Sequence, residues 1–353
     1  MKLVVVVAQG PEPAAARFRV AQLSLVLGLF LATGSVCQGG PRPQPPPPPN
    51  TPLFTMPTRP VCEGDNAAVV DVAAVFEPGL REVSGVAASL LNEDLLWMLA
   101  DAGNDAAVFG VSATTGEVRL QVNVPAQNLD FEDVAVGPCP DLSMPCVFIG
   151  DTGDNDGARA VVFVYAFPEP VLAVDAPVGV VTLETMWVMP MSFVNNESVN
   201  VEALVVFPDA SGLLLLEKTT EPVARVFAYR APWSSTLNGF DSPPRTLEPS
   251  GTIVVPSDGK KRERRITGAA LHWSGTRLLV RFTGGVAEYA AVDPVSFLDP
   301  STLTARQVLD SPPGEDQGEA LTFSADGTAI LSISEAPKGS SPVLHKSACT
   351  EEP

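Results

Sequence analysis

The sequence predicts an all-β domain, and three observations carry that prediction. Short runs of Val, Leu and Ile are broken by turns in a chain holding 35 Pro and 28 Gly among 353 residues, a composition that punctuates strands and disfavours helices. Beyond residue 60 no long stretch shows the apolar spacing of a helix. A short motif, one polar residue before small and β-branched ones, recurs five times at intervals that suit repeated sheets.

The N-terminal segment stands apart from that domain. Arg17 and Arg19 precede an apolar core from Val20 to Gly34, and small residues lead to Cys37. This is the layout of an export signal, too short for a membrane span. The Cys resembles the lipidation site of a bacterial lipobox, with Val36 departing from the usual Gly or Ala; lipidation at Cys37 and plain cleavage both stay open. Residues before Arg17 add nothing to the signal, which leaves the true start codon open. Residues 1–36 are thus read as a signal peptide and 37–60 as a linker, whose Gln38–Pro52 tract is a polyproline spacer. The expected location is outside the cytoplasm, as an envelope lipoprotein or a secreted protein that touches membrane only through a lipid.

The formal net charge of −19 excludes a phosphate-backbone binder, so no nucleic-acid partner is expected. Setting Cys37 aside leaves Cys62, Cys139, Cys146 and Cys349, an even count that suggests two disulfides in an exported chain. Cys139 and Cys146 bracket a short Pro-containing loop, while Cys62 and Cys349 lie at the ends of the folded region. Pairing 139–146 with 62–349 means that the domain's ends meet. With no CxxC and two His in the chain, a zinc site is a poor reading.

The five related segments begin near Val83, Phe131, Val201, Ile266 and Gly318. Their shared polar residue is Ser84, Glu132, Glu202, Thr267 and Glu319, at intervals of 48, 70, 65 and 52 residues. A second apolar run follows each first one across a hairpin turn, as in LLWMLADAG and CVFIGDTGDN, and third runs follow, as in AVVFVYAFP and ARVFAYRAP. VRLQVNV, GVVTLETMWV and GTIVVPS read as fourth strands. Four-stranded units in series predict a single β-propeller over residues 61–350. The last unit lacks an outer strand, and Ala67–Phe76 could supply it. Five blades fit best; six stays open because the long intervals could hide a degenerate blade.

In a propeller the start of each first strand and the end of each second strand reach one rim of the channel. That rim gathers Glu132, Glu202, Glu319, Asp151 and Asp101 as candidate metal ligands. Glu82, Asp130, Asp133, Asn104, Asp105, Asp154, Asn155, Lys218 and Arg281 are candidate ligand-binding residues. Crowded carboxylates repel one another unless a cation sits among them, and hard oxygen donors suit Ca²⁺. In the loop GDTGDNDG (Gly150–Gly157) the same residue types also simply build tight turns. Lys218, Arg281 and the KKRERR run (Lys260–Arg265) could clamp an anion, although such a run is also a common solvated loop. Neither His272 nor His345 sits in a triad context, and no Gly-x-Ser-x-Gly elbow occurs.

The segments REVSGVAAS, LLWMLADAGNDAAVFGV, DFEDVAVG, IGDTGDN, VEALVV and GEALTF, within residues 78–336, resemble secreted bacterial propellers of the phytase-like (esterase-like) and calcium-dependent lactonase-like superfamilies. The resemblance implies a calcium or polar centre at one channel mouth, with Glu82, Asp101, Glu132, Glu202 and Glu319 as channel ligands. The sequence therefore suggests a monomeric envelope-anchored or secreted propeller that binds an unidentified ligand or envelope protein at an acidic, Ca²⁺-loaded mouth. The alternative is a Ca²⁺-dependent hydrolase of phosphate or carboxylic esters, with a channel Glu as base. A purely structural domain with protein partners is a third reading.

Overall fold

The computed structural model describes residues 56–173, 177–256, 259–298, 305–312, 315, 317–336 and 340–350. The signal peptide, Cys37 and the polyproline tract lie outside the described residues. Strand β1 (Val70–Ala74) precedes the repeats. The first repeat forms β2 (Val83–Ala88), β3 (Leu95–Ala100), β4 (Ala107–Ser112) and β5 (Val118–Asn123). The second forms β6 (Phe131–Pro138), β7 (Pro145–Asp151), β8 (Val162–Pro168), β9 (Gly179–Thr182) and β10 (Trp187–Phe193). The third gives β11 (Val201–Val206), β12 (Gly212–Glu217), β13 (Val223–Arg230), β14 (Thr236–Leu237), β15 (Arg245–Leu247) and β16 (Pro249–Val254). The fourth is β17 (Ile266–Leu271), β18 (Arg277–Phe282), β19 (Gly285–Ala290) and β20 (Ala305–Asp310). The fifth is β21 (Ala320–Phe323), β22 (Ala329–Ile333) and β23 (Val343–Ala348).

These strands build five sheets, which are the five blades of a β-propeller. The inner strands β2, β6, β11, β17 and β21 neighbour one another around the axis, and β21 returns to β2. Each blade packs its faces against two others, so inner strands such as β2, β6 and β11 are buried along their whole length. This is why they read as runs of small and β-branched residues rather than as an apolar–polar alternation.

Two long intervals are filled by strands lent to the preceding blade. Strand β9 leaves the second repeat to pair in parallel with β5. Strands β14 and β15, from the third repeat, both pair with β10. Gly179–Val188 is therefore not one fourth strand: β9 covers the first blade's edge, and β10 takes the fourth place in its own. Covering an exposed edge removes unpaired backbone donors and acceptors, and the intervals conceal no sixth blade.

The ring closes through the chain's two ends. Strand β1 pairs antiparallel with β23 and completes the fifth blade. Cys62 bonds to Cys349 and Cys139 to Cys146. The segment before β1 continues across the fourth blade. There Glu63 pairs with Arg277, Arg306 donates to the carbonyls of Glu63 and Gly64, and Gln307 donates to Asn66 at 2.9 Å.

Four inner strands carry a bulge at their first turn of pairing. Register slips between Val83 and Gly85, Phe131 and Asp133, Val201 and Ala203, and Ile266 and Gly268. The extra residue in each is the polar residue of the repeat: Ser84, Glu132, Glu202 or Thr267. Farther along, Val86–Ala88, Val134–Val136, Leu204–Val206, Ala269–Leu271, Thr322 and Phe323 surround a cavity of only about 30 Å³. That admits about two waters and no organic ligand.

Asp133 pins this centre. Its carboxylate accepts the backbone N–H of Val134 and of Leu204, each at 2.8 Å, and the main chain of Ala269 also bonds to it. One side chain thus ties three blades together. Burial pushes its pKa up, against the pull of those donors.

Two stability predictions follow from the closure and the pin. Replacing Cys62 and Cys349 by Ala should cost about 2–5 kcal/mol, because the bond restrains nearly the whole unfolded domain. The same change at Cys139 and Cys146, which span a separation of 7, should cost less of this loop-closure stabilisation. Denaturant unfolding of both pairs decides it, and an equal or larger loss at 139/146 would contradict the closure argument. Asp133→Ala should cost at least about 2 kcal/mol by leaving buried N–H donors bare; a loss within experimental error would remove Asp133 from this role.

Candidate functional site: an acidic channel mouth

A bulge turns a side chain that would otherwise face a neighbouring strand. Here the bulged residues sit at one rim of the ring. Two of them pin adjacent blades: Ser84 Oγ donates to the carbonyl of Glu132 at 2.6 Å, and Thr267 Oγ1 to that of Gly318 at 2.6 Å. The other two, Glu132 and Glu202, bring carboxylates to the mouth and are each 2% exposed.

Glu132, Asp130 and Asp101 form one compact group, with a carboxylate oxygen from each lying within 4.8 Å of the others. Glu132 Oε2 accepts a hydrogen bond from Ser84 Oγ at 3.3 Å, while Oε1 is buried without a partner. The loop after β7 comes down on this group at Gly153, whose N–H donates to the Asp130 carbonyl at 3.2 Å. A Cβ at residue 153 would fall on Glu132 Oε1 and the Asp130 carboxylate, so only glycine permits this approach.

The electrostatics follow from the crowding. Burial, then Asp101 and Glu202, lift the pKa of Asp130 to about 6. Glu132 is raised by burial first, then by Glu202 and Asp101, with Lys218 opposing. Across the mouth, Lys218 Nζ lies 2.6 Å from Glu202 Oε1, and Asn200 Nδ2 donates to the same oxygen at 3.0 Å. Burial alone would depress Lys218, but Glu202, Glu132 and Glu319 outweigh it and raise its pKa. Glu319 is lifted to about 8, by burial first and then by Glu202, Glu335 and Asp101, against Lys218. One lysine therefore faces several carboxylates, and the mouth keeps an excess of negative charge.

Other candidate residues occupy different places. Asp151 is fully committed: it pairs with Arg159 at 2.9 Å and accepts from the Tyr165 hydroxyl at 3.0 Å and the Asp130 N–H at 3.1 Å. Asp154 closes its own loop, accepting from the N–H groups of Ala158 and Arg159 and from Ser198. Burial works against those bonds, yet they hold its pKa low. Asn155 accepts from Asn200 at 3.1 Å. Glu82 is exposed and accepts from Asn104 at 3.0 Å, and Asp105 is exposed beyond it. Asp133 lies below the mouth in the role described above. Arg281 is not on the rim: it is buried between the fourth and fifth blades, 2.6 Å from Glu315. The KKRERR run forms an exposed short helical turn, Lys261–Arg264. His272 is a packing residue, edge-on to Phe323.

Two residues that shape the mouth are missing from the sequence reading. Arg159 holds Asp151 and donates to the carbonyls of Gly153 and Asp151. It is the single basic residue between Arg119 and Lys218, a signal that could have found it. Asn200 stands two places before Glu202, as Asp130 does before Glu132, so the repeat alignment marks its position.

No family model matches this chain, and no curated protein does. Among solved structures it is similar to one described as RRP9 WD40 repeats, at 8% identity and a TM-score of 0.40, over 82% of this chain and 99% of that one. It is likewise similar to a structure of U3-55K, at 8% identity and a TM-score of 0.40, over 80% and 100% of the two chains. Likenesses this distant carry nothing about activity, and the five-bladed propeller stands on the sheets themselves.

Proposed function

We propose that this chain is an exported β-propeller that binds a divalent cation, with Ca²⁺ the best chemical match, at its acidic channel mouth and presents that charged rim to a ligand. The observation that carries the reading is Glu132 Oε1, buried and unpartnered within the Asp101–Asp130–Glu132 group. An orphaned buried carboxylate oxygen is costly, and three carboxylates supply the hard oxygen donors that Ca²⁺ prefers. Asp101, Asp130 and Glu132 would hold the ion. Ser84 orients Glu132, and Lys218 with Asn200 positions Glu202 beside them. A bound cation would offset the repulsion and give a ligand's oxygen atoms a positive contact. Two disulfides support an oxidising compartment outside the cytoplasm.

The test is thermal unfolding of the full chain in excess Ca²⁺ and in EDTA. A ligand at about 100 times its Kd stabilises by about 2.7 kcal/mol, which is expected as a rise of several degrees. Glu132→Gln should abolish the rise while leaving the EDTA midpoint unchanged or higher, because it removes one of the repelling charges. Gly153→Ala should weaken the Ca²⁺ effect by forcing its loop off the carboxylates. Equal midpoints in Ca²⁺ and EDTA for the unaltered chain would end the cation reading.

The raised carboxyls also fix the pH dependence of the metal-free protein. Asp130, near 6, and Glu319, near 8, hold their protons more tightly folded than unfolded. Their contribution to stability is therefore present at low pH and is lost as pH rises from the ordinary carboxylate range through those values. Chemical unfolding in EDTA should show stability falling between about pH 5 and 8. A flat or rising profile would show that these groups do not titrate as argued.

A further inference from the structure

A second polar centre lies between the fourth and fifth blades, where Gly318 abuts the guanidinium of Arg281. Among the described residues, the apolar core at this interface comprises five buried residues, whereas the other four interfaces hold from fourteen to nineteen each. In register, Arg281 opposes Gly268 as Leu99 opposes Gly85 and Leu216 opposes Ala203. A guanidinium thus occupies a place that two other blades fill with leucine.

Arg281 has no exposed surface. Its Nη2 donates to Glu315 Oε2 at 2.6 Å, while Nε and Nη1 are buried with no partner among the described residues. The other Glu315 oxygen faces Ser332 Oγ at 3.3 Å and His345 Nε2 at 3.6 Å, while His345 Nδ1 lies 3.0 Å from Asp71. Two buried N–H donors left bare cost more than an apolar replacement would. Arg281, Ser332 and His345 also line a cleft of about 490 Å³ between the blades, whose walls include Val286, Leu309 and Ile330. That volume is within the range of small-molecule sites, and donors converging at one place in apolar walls are their usual makeup.

We propose that this interblade cleft is a binding site for a small organic carboxylate, with the anionic head on the free donors of Arg281 and the apolar body against Val286, Leu309 and Ile330. Planar carboxylates match the guanidinium fork, and a ligand's carboxylate would satisfy the N–H groups of Arg281 that Glu315 does not reach. The site is independent of the cation reading at the mouth.

Benzoate is the probe, titrated calorimetrically into the full chain, with neutral benzamide as its isostere. Saturable benzoate binding is expected, at least about tenfold tighter than benzamide. Arg281→Leu combined with Glu315→Gln removes both charges and installs the residue found at the matching places, and it should lose benzoate binding. Glu132→Gln, at the mouth, should bind benzoate as the unaltered chain does. Absence of saturable binding, equal binding of benzamide, or loss in Glu132→Gln would each overturn the proposal. The comparison of benzoate with benzamide on the unaltered chain decides the matter even if the double variant does not fold.

Discussion

The tightness of the ring's centre governs what the rest of the molecule can do. Inner strands approach so closely that a Cβ on Gly85 would lie 2.6 Å from the Val134 nitrogen, and one on Gly268 would lie 2.8 Å from the Glu319 carbonyl. Neither position has room for a side chain, and Asp133 serves beside them as a bonded hub. Polar groups that act on other molecules must stand above this plane. The bulges achieve that, inserting one residue at the rim without moving the apolar register beneath it. Fold and site are in this sense one constraint, since the crowding that seals the channel also crowds the acids at its mouth.

The acids divide into those that are satisfied and those that are not. Asp151, Asp154 and Glu202 have cations or hydrogen-bond donors close by and maintain loop geometry. Asp101, Asp130 and Glu132 face one another. Charge composition cannot separate these classes, because both are Asp and Glu in similar contexts. The separation depends on where Arg159 and Lys218 land after folding.

Much of the architecture was legible in the sequence because repetition exposes it. The aligned polar residue located five inner strands, and cysteine positions gave both disulfides and the closing strand. What escaped was whatever departs from repetition. Strand β9 was read together with Trp187 and Val188 as one fourth strand, since local β-propensity does not tell which sheet a strand joins. Strand β20, ARQVLD, went unnoticed because its polar residues suit an outer edge. Among the site residues, Asp101, Asp130 and Glu132 were placed at the rim from strand direction alone. Arg281 was placed there too, because it stands near the end of a second strand, whereas its side chain is folded inward against Glu315.

The shared fifth blade has a bearing on how the molecule comes into being. Its first three strands come from the last part of the chain and its fourth from the first, so it cannot be assembled until synthesis has reached Ala348. Until then β1 has no partner and the circle stays open. Contacts spanning almost the whole length form late and slowly. Completion waits until both ends of the domain are present, and only then do the thiols of Cys62 and Cys349 lie close enough to be oxidised to their disulfide.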